Sequence, residues 1–417
     1  MFKFIHAADL HLDSPFRGIT AESQTVADTL RSATFDAYDS LITLCIERKV
    51  DFLVIAGDVY DGADRSLRAQ LRFRDGLAQL AEHGIRAYVV HGNHDPLDGW
   101  TSAIDWPKGV HIFSGDEVET VEVELGGQVA AAVSGISYRN RRESRKLVRH
   151  YEANRPGLFQ IGLLHCNCGG NTAHEDYVPC QTTDLVQVGM DYWALGHVHT
   201  RGVLNEVPHI VYPGNTQGRN IRELAERGCY MVTVDSAVVV GLEFCPLQAV
   251  QWLTDQVSID ALDTIDALDR ALMGAVEGLR ERGGGCPVVC RLALTGRGPL
   301  YRELVRDDGI TELQDRARES GLADTPFVWV QEIEMEARPA VDLAQLRDAR
   351  DLLGQALLIG QEIQEAADLP QTLQHTLAEL FDDPRARKVL QPFSAEELKR
   401  LLSDADLLCV DMLTRDE

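Results

Sequence analysis

The chain has 417 residues, 45% of them hydrophobic and 25% charged, with a formal net charge of −25; the length allows two or three domains, and the acidic balance excludes non-specific coating of nucleic acid or anionic membrane while leaving room for local basic surfaces. The opening MFKFIHAADLH is too short an apolar run for a signal peptide, and no later stretch approaches the ~20 apolar residues of a membrane span, so a cytoplasmic protein without a membrane segment is expected. Nine scattered cysteines without framework spacing are expected to be reduced thiols, with Cys166 and Cys168 as bystanders.

From residue 1 to about 245, short β-like runs alternate with helical patterns: FKFIHA, a helix over 31–49, DFLVIA, a helix over 66–82, then RAYVVH. This alternation predicts an α/β domain. VETVEVEL and QVAAAVSGI flank Gly126 and Gly127 and read as a hairpin. Strands follow at FQIGLLH, DYWALG, HIVYPG, CYMVTVD and AVVVGLEF, enough for two sheets between helices. Residues 246–340 read as a small α+β domain, with strands over 250–259, 287–294 and 327–336 and helices over 264–282 and 301–319. From 341 to 417 the chain reads as an acidic helical tail, broken at Pro370, Pro384 and Pro392, with an apolar stripe of Leu398, Leu401, Leu402, Ala405 and Leu408.

Five apolar runs end in residues suited to metals: Asp9 and His11 after FIHA, Asp58 and Asp61 after FLVIA, Asn93, His94 and Asp95 after AYVVHG, His165 after IGLL, and His197 and His199 after YWALG. In an α/β sheet, functional groups gather where strands reach their carboxyl ends, so these termini can share one crevice. Carboxylates, an amide oxygen and imidazoles without thiolates suit manganese, iron(II), zinc or nickel more than a dedicated magnesium site. Asp9, His11, Asp58, Asn93, His165, His197 and His199 are too many ligands for one ion. Two divalent cations ~3.5 to 4 Å apart, sharing one carboxylate, are the arrangement that assists phosphoester hydrolysis, and Asp58 is the natural bridge. His6 and His91 lie close enough in sequence to support such a site.

D-x-H, GDxxD, GNHD, a lone His and GHxH, in this order, resemble the calcineurin-like metallophosphoesterase superfamily over residues 1 to about 245. Within it, HAADLHLDSPF and VYPGNTQGRN, followed by a further domain and a helical tail, resemble the SbcD-type bacterial DNA repair exonucleases in their YhaO-like branch. The resemblance implies a four-layer α/β/β/α sandwich. It assigns one metal to Asp9, His11, Asp58 and His199, and the other to Asp58, Asn93, His165 and His197. His94 matches the family's catalytic histidine, with Asp95 orienting it. Some relatives carry a second catalytic histidine three residues after the bridging aspartate; here Asp61 stands there, in a supporting role.

Two basic groups stand against the acidic whole. One is Arg65, Arg68, Arg72 and Arg74; the other is residues 138–155, with seven basic and two acidic residues, read as a helix whose Arg139 and Arg142 face DNA. Arg65 and Arg219 are further candidates for substrate contact. The expected activity is a manganese-dependent DNA exonuclease, with residues 246–340 as a cap that steers the strand; the alternatives are a phosphodiesterase for small cyclic nucleotides, a phosphoprotein phosphatase, and a scaffold with a dead site, the last opposed by the intact ligand set. The resemblance also implies docking of the C-terminal helices on a coiled-coil SbcC-type ATPase, and a homodimer through helices of the catalytic domain.

Overall fold

The computed structural model describes residues 1–14, 16, 23–62, 66–99, 104–143, 145–169, 178–306, 309–365, 373 and 393–413. Arg65, Pro370, Pro384 and Pro392 lie outside them. The first strands are β1 (Phe2–Ala7), β2 (Phe52–Ala56), β3 (Arg86–Val90), β4 (Val110–Ile112), β5 (Glu119–Leu125) and β6 (Gln128–Gly135). They are followed by β7 (Phe159–His165), β8 (Tyr192–Gly196), β9 (Gly202–Glu206), β10 (His209–Tyr212), β11 (Gly228–Asp235) and β12 (Val238–Pro246). One six-stranded sheet runs β12-β11-β1-β2-β3-β4 and the other β5-β6-β7-β8-β10-β9. β1 to β4 are parallel, as are β6, β7, β8 and β10. Helices α1 (Gln24–Glu47) and α2 (Leu67–Glu82) make the crossovers between the first three strands, and α3 (Thr182–Val188) lies between β7 and β8.

Strand β2, FLVIA, is buried throughout because both of its faces are covered. Leu53 and Ile55 pack with Phe35, Tyr38, Leu41, Phe73 and Leu77 of α1 and α2. Phe52, Val54 and Ala56 face the other way, onto Phe159, Ile161, Leu163 and Tyr192 of the second sheet. The far face of that second sheet, through Leu164, Trp193, Leu195 and Ile210, is covered by Leu185 of α3 and by Leu147, Val148 and Tyr151. The result is the expected α/β/β/α sandwich. Phe4 and Phe52 stack at 5.0 Å between its two sheets, and each such buried ring contributes about 1.5 to 3 kcal/mol relative to exposure.

The β5–β6 hairpin turns at Gly126 and Gly127, both with positive φ, as a two-residue turn matched to strand twist requires. Two expectations change. The basic segment after Tyr138 is irregular chain with only a short 3₁₀ turn at Leu147–His150 among its described residues; Arg145 turns back to bond Glu143 and the carbonyl of Gly115, so it has no continuous basic helix face. The helix read over 301–319 is two pieces, Tyr301–Leu304 and Gly309–Ala323.

The chain forms two compact units. One comprises Met1–Gln256, Ala271–Ala293 and Thr311–Glu334, the other Val257–Arg270, Leu294–Ile310 and Met335–Glu417. In the first, Trp252, Val289, Phe327 and Trp329 pack with Val26, Leu30 and Ala33 of α1. In the second, helix Leu352–Glu365 packs on helix Ala395–Leu413 through Leu353, Leu357 and Val410. The stripe read on the latter is divided: Leu398 is buried, whereas Leu401 and Leu408 are exposed. Among the described residues no helix is long and apolar enough to cross a membrane.

Candidate metal centre

The carboxyl ends of β1, β2, β3, β7 and β8 meet because the two sheets touch backbone to backbone there. A Cβ on Gly196 would lie 1.8 Å from the carbonyl oxygen of Ala56, so only glycine permits this approach. The chain beyond β1 then follows the chain beyond β2: Asp9 N donates to Gly57 O (3.0 Å) and His11 N to Asp58 O (3.0 Å). Several of the polar strand ends take left-handed backbone, with φ of 53° at Asp9, 44° at His11, 50° at Asp58 and 101° at His197. Such conformations cost of order 1 to 3 kcal/mol at non-glycine residues and persist where surrounding structure over-determines them.

The seven candidate ligands converge. His11 Nε2 lies 3.1 Å from His199 Nε2 and 3.8 Å from Asp58 Oδ2. Asp58 Oδ2 is also 3.4 Å from His165 Nε2, placing this carboxylate between the two imidazoles. Asn93 Oδ1 stands 2.9 Å from His165 Nε2 and 3.2 Å from His197 Nδ1. Asp9 accepts from His197 N at 3.1 Å with each oxygen and comes within 4.0 Å of His165 Nδ1. Asp9 groups with His11 and His199 on one side, and with Asp58 and His165 on the other. All are buried except His199, which is partly exposed.

These positions fit a pair of cations. His165 Nδ1 contacts the carbonyl of Ala56 at 2.9 Å, a group that can only accept, so this nitrogen carries a proton. In the neutral ring Nε2 is then a lone pair facing two more acceptors, Asn93 Oδ1 and Asp58 Oδ2. Burial pushes the His165 pKa down, but Asp58 and Asp9 raise it to about 9; the cluster asks for positive charge, and a divalent cation among these atoms answers the same demand. Asp9 is driven upward by burial and by Asp58, while His199 and His165 oppose the shift. His11 is pushed down to about 3 by burial and then by Arg219, which keeps it neutral, as a ligand must be. Gly92 lines the same space: a Cβ there would fall 2.4 Å from Asp58 Oδ1 and 2.7 Å from His165 Nε2.

His94 stands at the open edge. Its side chain is 34% exposed, its backbone N donates to Asp58 Oδ1 at 2.9 Å, and its Nδ1 lies 3.6 Å from Asp61 Oδ1. Asp95 accepts from Val59 N (2.8 Å) and Gly92 N (2.7 Å) and meets His91 Nδ1 at 2.8 Å, tying the loop that carries Asn93 and His94 to the loop after Asp58. His6 lies deeper, against Tyr192 and Leu195. Arg219 reaches the centre through Asp61, at 2.6 Å. Arg139 is exposed and pairs with Asp116 at 3.1 Å, and Arg142 is exposed. The backbone of Arg139 accepts from Asp98 N at 3.0 Å, which sets this basic segment beside the loop that follows His94.

Sequence reasoning missed Glu223, whose Oε1 lies 2.6 Å from His199 Nδ1, together with Ser14, Asn215 and Arg227. Ser14 donates to Asp61 Oδ2 at 2.9 Å, and Arg227 Nη1 donates to the carbonyl of His199 and to Asn215 Oδ1. Glu223 sits in the acidic and basic run IRELAER, which has no periodicity or spacing that marks one carboxylate. The near-invisible signal was the turn GNTQGRN itself: its Asn215, Thr216 and Gln217 are buried polar residues. Cys166 and Cys180 are buried with their sulfurs 3.8 Å apart, and burial is among the causes that raise the Cys180 thiol well above its ordinary range after its contact with Cys166.

Residues 2–201 match the calcineurin-like phosphoesterase family, and residues 252–338 match the middle domain of metallophosphoesterase YhaO. The chain is 34% identical over 97% of its length to the uncharacterized metallophosphoesterase YhaO of Bacillus subtilis (strain 168), covering 96% of that protein. It is 24% identical over 47% of its length to the SbcD subunit of nuclease SbcCD from the same organism, and 25% identical over 53% to the DNA double-strand break repair protein Mre11 of Thermoplasma acidophilum. It spans 56% and 57% of those two proteins. With the ligand-rich strand ends gathered between two sheets and a full-length likeness to YhaO, the chain belongs to the calcineurin-like metallophosphoesterase superfamily, in its YhaO-like branch.

Proposed function

We propose that the protein is a manganese-dependent DNA exonuclease that hydrolyses phosphodiesters at a two-cation site and serves DNA repair in the cytoplasm. The observation that carries this reading is the convergence of Asp9, His11, Asp58, Asn93, His165, His197 and His199 on one buried cluster with His94 on its open side. Asp9, His11, Asp58 and His199 would hold one cation, and Asp58, Asn93, His165 and His197 the other. Two cations held by these residues would supply a lowered pKa for a bound water and charge neutralisation at the phosphoryl oxygens.

The chain's own residues supply position and a proton. His94 offers Nε2 to a phosphoryl or leaving oxygen, since its Nδ1 faces Asp61. Asp95 acts through the loop, by bonding Gly92 N and Val59 N on either side. Arg219 holds Asp61 in its charged form and places a cation at the rim. Arg139 and Arg142, exposed beside the loop after His94, and Arg65 would take backbone phosphates.

In this reading residues 1–245 form the catalytic domain, 246–340 the cap and 341–417 a docking region. Exposed Leu401, Leu408 and Met412 support docking of a coiled-coil SbcC-type ATPase, and the SbcCD and Mre11 likenesses support DNA as substrate. The net charge of −25 favours a second reading, a phosphodiesterase for small substrates, because it opposes polyanion binding at long range. Purified protein assayed with manganese, magnesium, zinc, nickel or iron(II), on single-stranded DNA, duplex DNA and a small chromogenic phosphodiester, separates the two. Manganese-stimulated DNA hydrolysis is expected; inertness toward DNA, partner ATPase included, beside brisk cleavage of the small diester would favour the second.

A further inference from the structure

We infer that Glu223 is a positioning residue that fixes the tautomer and direction of the His199 ring for metal binding. The inference rests on the two-cation reading above. A carboxylate only accepts, so the 2.6 Å contact between Glu223 Oε1 and His199 Nδ1 puts the ring proton on Nδ1. In the neutral ring Nε2 is then a lone pair, 3.1 Å from His11 Nε2 and on the side of Asp9. His199 needs this support more than its neighbours. His11 and His165 are sealed in the core, whereas the His199 side chain is 17% exposed, so less surrounding structure fixes its ring.

Glu223 is itself held from behind. Its Oε2 accepts from Arg219 N at 2.7 Å and from Asn215 Nδ2 at 3.1 Å, while Arg219 Nη2 stands 3.9 Å from Oε1. Donors therefore face both oxygens. Glutamine, of the same shape, offers one acceptor and one N–H₂, so it satisfies either His199 or the Arg219 and Asn215 pair and turns a donor toward the other. The negative charge also raises the basicity of the imidazole, and loss of such a partner typically costs 10 to 100-fold in metal affinity.

The test uses the full chain, freed of metal and titrated with Mn²⁺ alone, as wild type, Glu223→Gln and Glu223→Asp. Wild type should bind two Mn²⁺. Glu223→Gln should bind one of them about 10 to 100-fold more weakly, and the imidazole ¹⁵N resonances of His199 in the metal-free protein should move from the Nδ1–H tautomer toward a mixture. Glu223→Asp, which keeps the charge but shortens the reach, should recover part of both signals, and it carries the test if the glutamine variant fails to fold. Unchanged affinity for both ions with an unchanged His199 tautomer would overturn the inference. Fewer than two Mn²⁺ on wild type would instead sink the two-cation reading, and the tautomer measurement would still decide whether Glu223 directs the ring.

Discussion

Arg219 Nη1 donates to Asp61 Oδ1 at 2.6 Å, joining residues 158 positions apart at the rim of the cluster of candidate ligands. The same carboxylate oxygen lies 3.1 Å from His11 Nδ1 and 3.6 Å from His94 Nδ1. Burial works against its charge, but His11, Arg219 and Ser14 hold it well below the usual carboxylate range. Asp61→Asn keeps the shape and removes the charge that faces both His11 and His94. At saturating Mn²⁺ it should lower kcat by about 10 to 100-fold, as read by turnover beside metal analysis; an unchanged kcat would show that Asp61 only shapes the loop.

Asp58 and His94 are expected to separate binding from chemistry. Asp58 Oδ2 lies between His11 and His165, at 3.8 and 3.4 Å, so Asp58→Asn should weaken both metals at once. His94→Gln should leave two metals bound and lose turnover by ~10² to 10⁴, the range for a positioned acid or base. Metal content after exhaustive buffer exchange, with single-turnover rates, checks the pair. Two ions on the Asp58 variant would remove it as the bridge, and metal loss in the His94 variant would make that histidine a ligand.

His6 links the two sheets and sets an acid limit on stability. Its Nε2–H donates to Leu195 O and its Nδ1 accepts from the Tyr192 hydroxyl, each at 3.1 Å. Burial pushes its pKa from 6.5 down to about 3, partly offset by the Leu195 carbonyl. The unfolded chain therefore takes up a proton that the fold refuses. This group's contribution is complete above pH 6.5 and is lost as pH falls from there toward 3. In metal-free protein, His6→Gln should lose roughly 2 to 3 kcal/mol less than wild type between about pH 7.5 and 4, each referred to its own value at the higher pH. Parallel urea-unfolding curves would mean that His6 is protonated inside the fold.

Arg139, Arg141 and Arg142 are exposed, while Arg145 bonds Glu143 and the Gly115 carbonyl and is best left intact. Changing the first three to glutamate should weaken DNA hydrolysis and spare a small phosphodiester. The salt dependence of DNA binding should flatten by about 0.9 in slope for each phosphate that the protein no longer neutralises. Equal activity on DNA before and after would remove this loop from the substrate path.

The strand ends and their order were legible in the sequence because β runs buried on both faces are continuously apolar, as FLVIA is, and a polar residue directly after such a run has few reasons to be there. Parallel pairing then carries each of these ends to the same edge. What only the tertiary structure decided lies in the connections between distant loops. Glu223 meets His199, Arg219 meets Asp61, and Gly196 passes against Ala56, because two sheets pack face to face and their loops fold over one rim. None of these pairs shares a period or a spacing, so nothing local distinguishes Glu223 from the other acids of its run. The basic segment from Arg139 failed as a helix for the converse reason. Its charges suggested a solvated helical face, but Glu143 is buried and draws Arg145 back onto Gly115, and that long-range bonding outweighs local helix propensity.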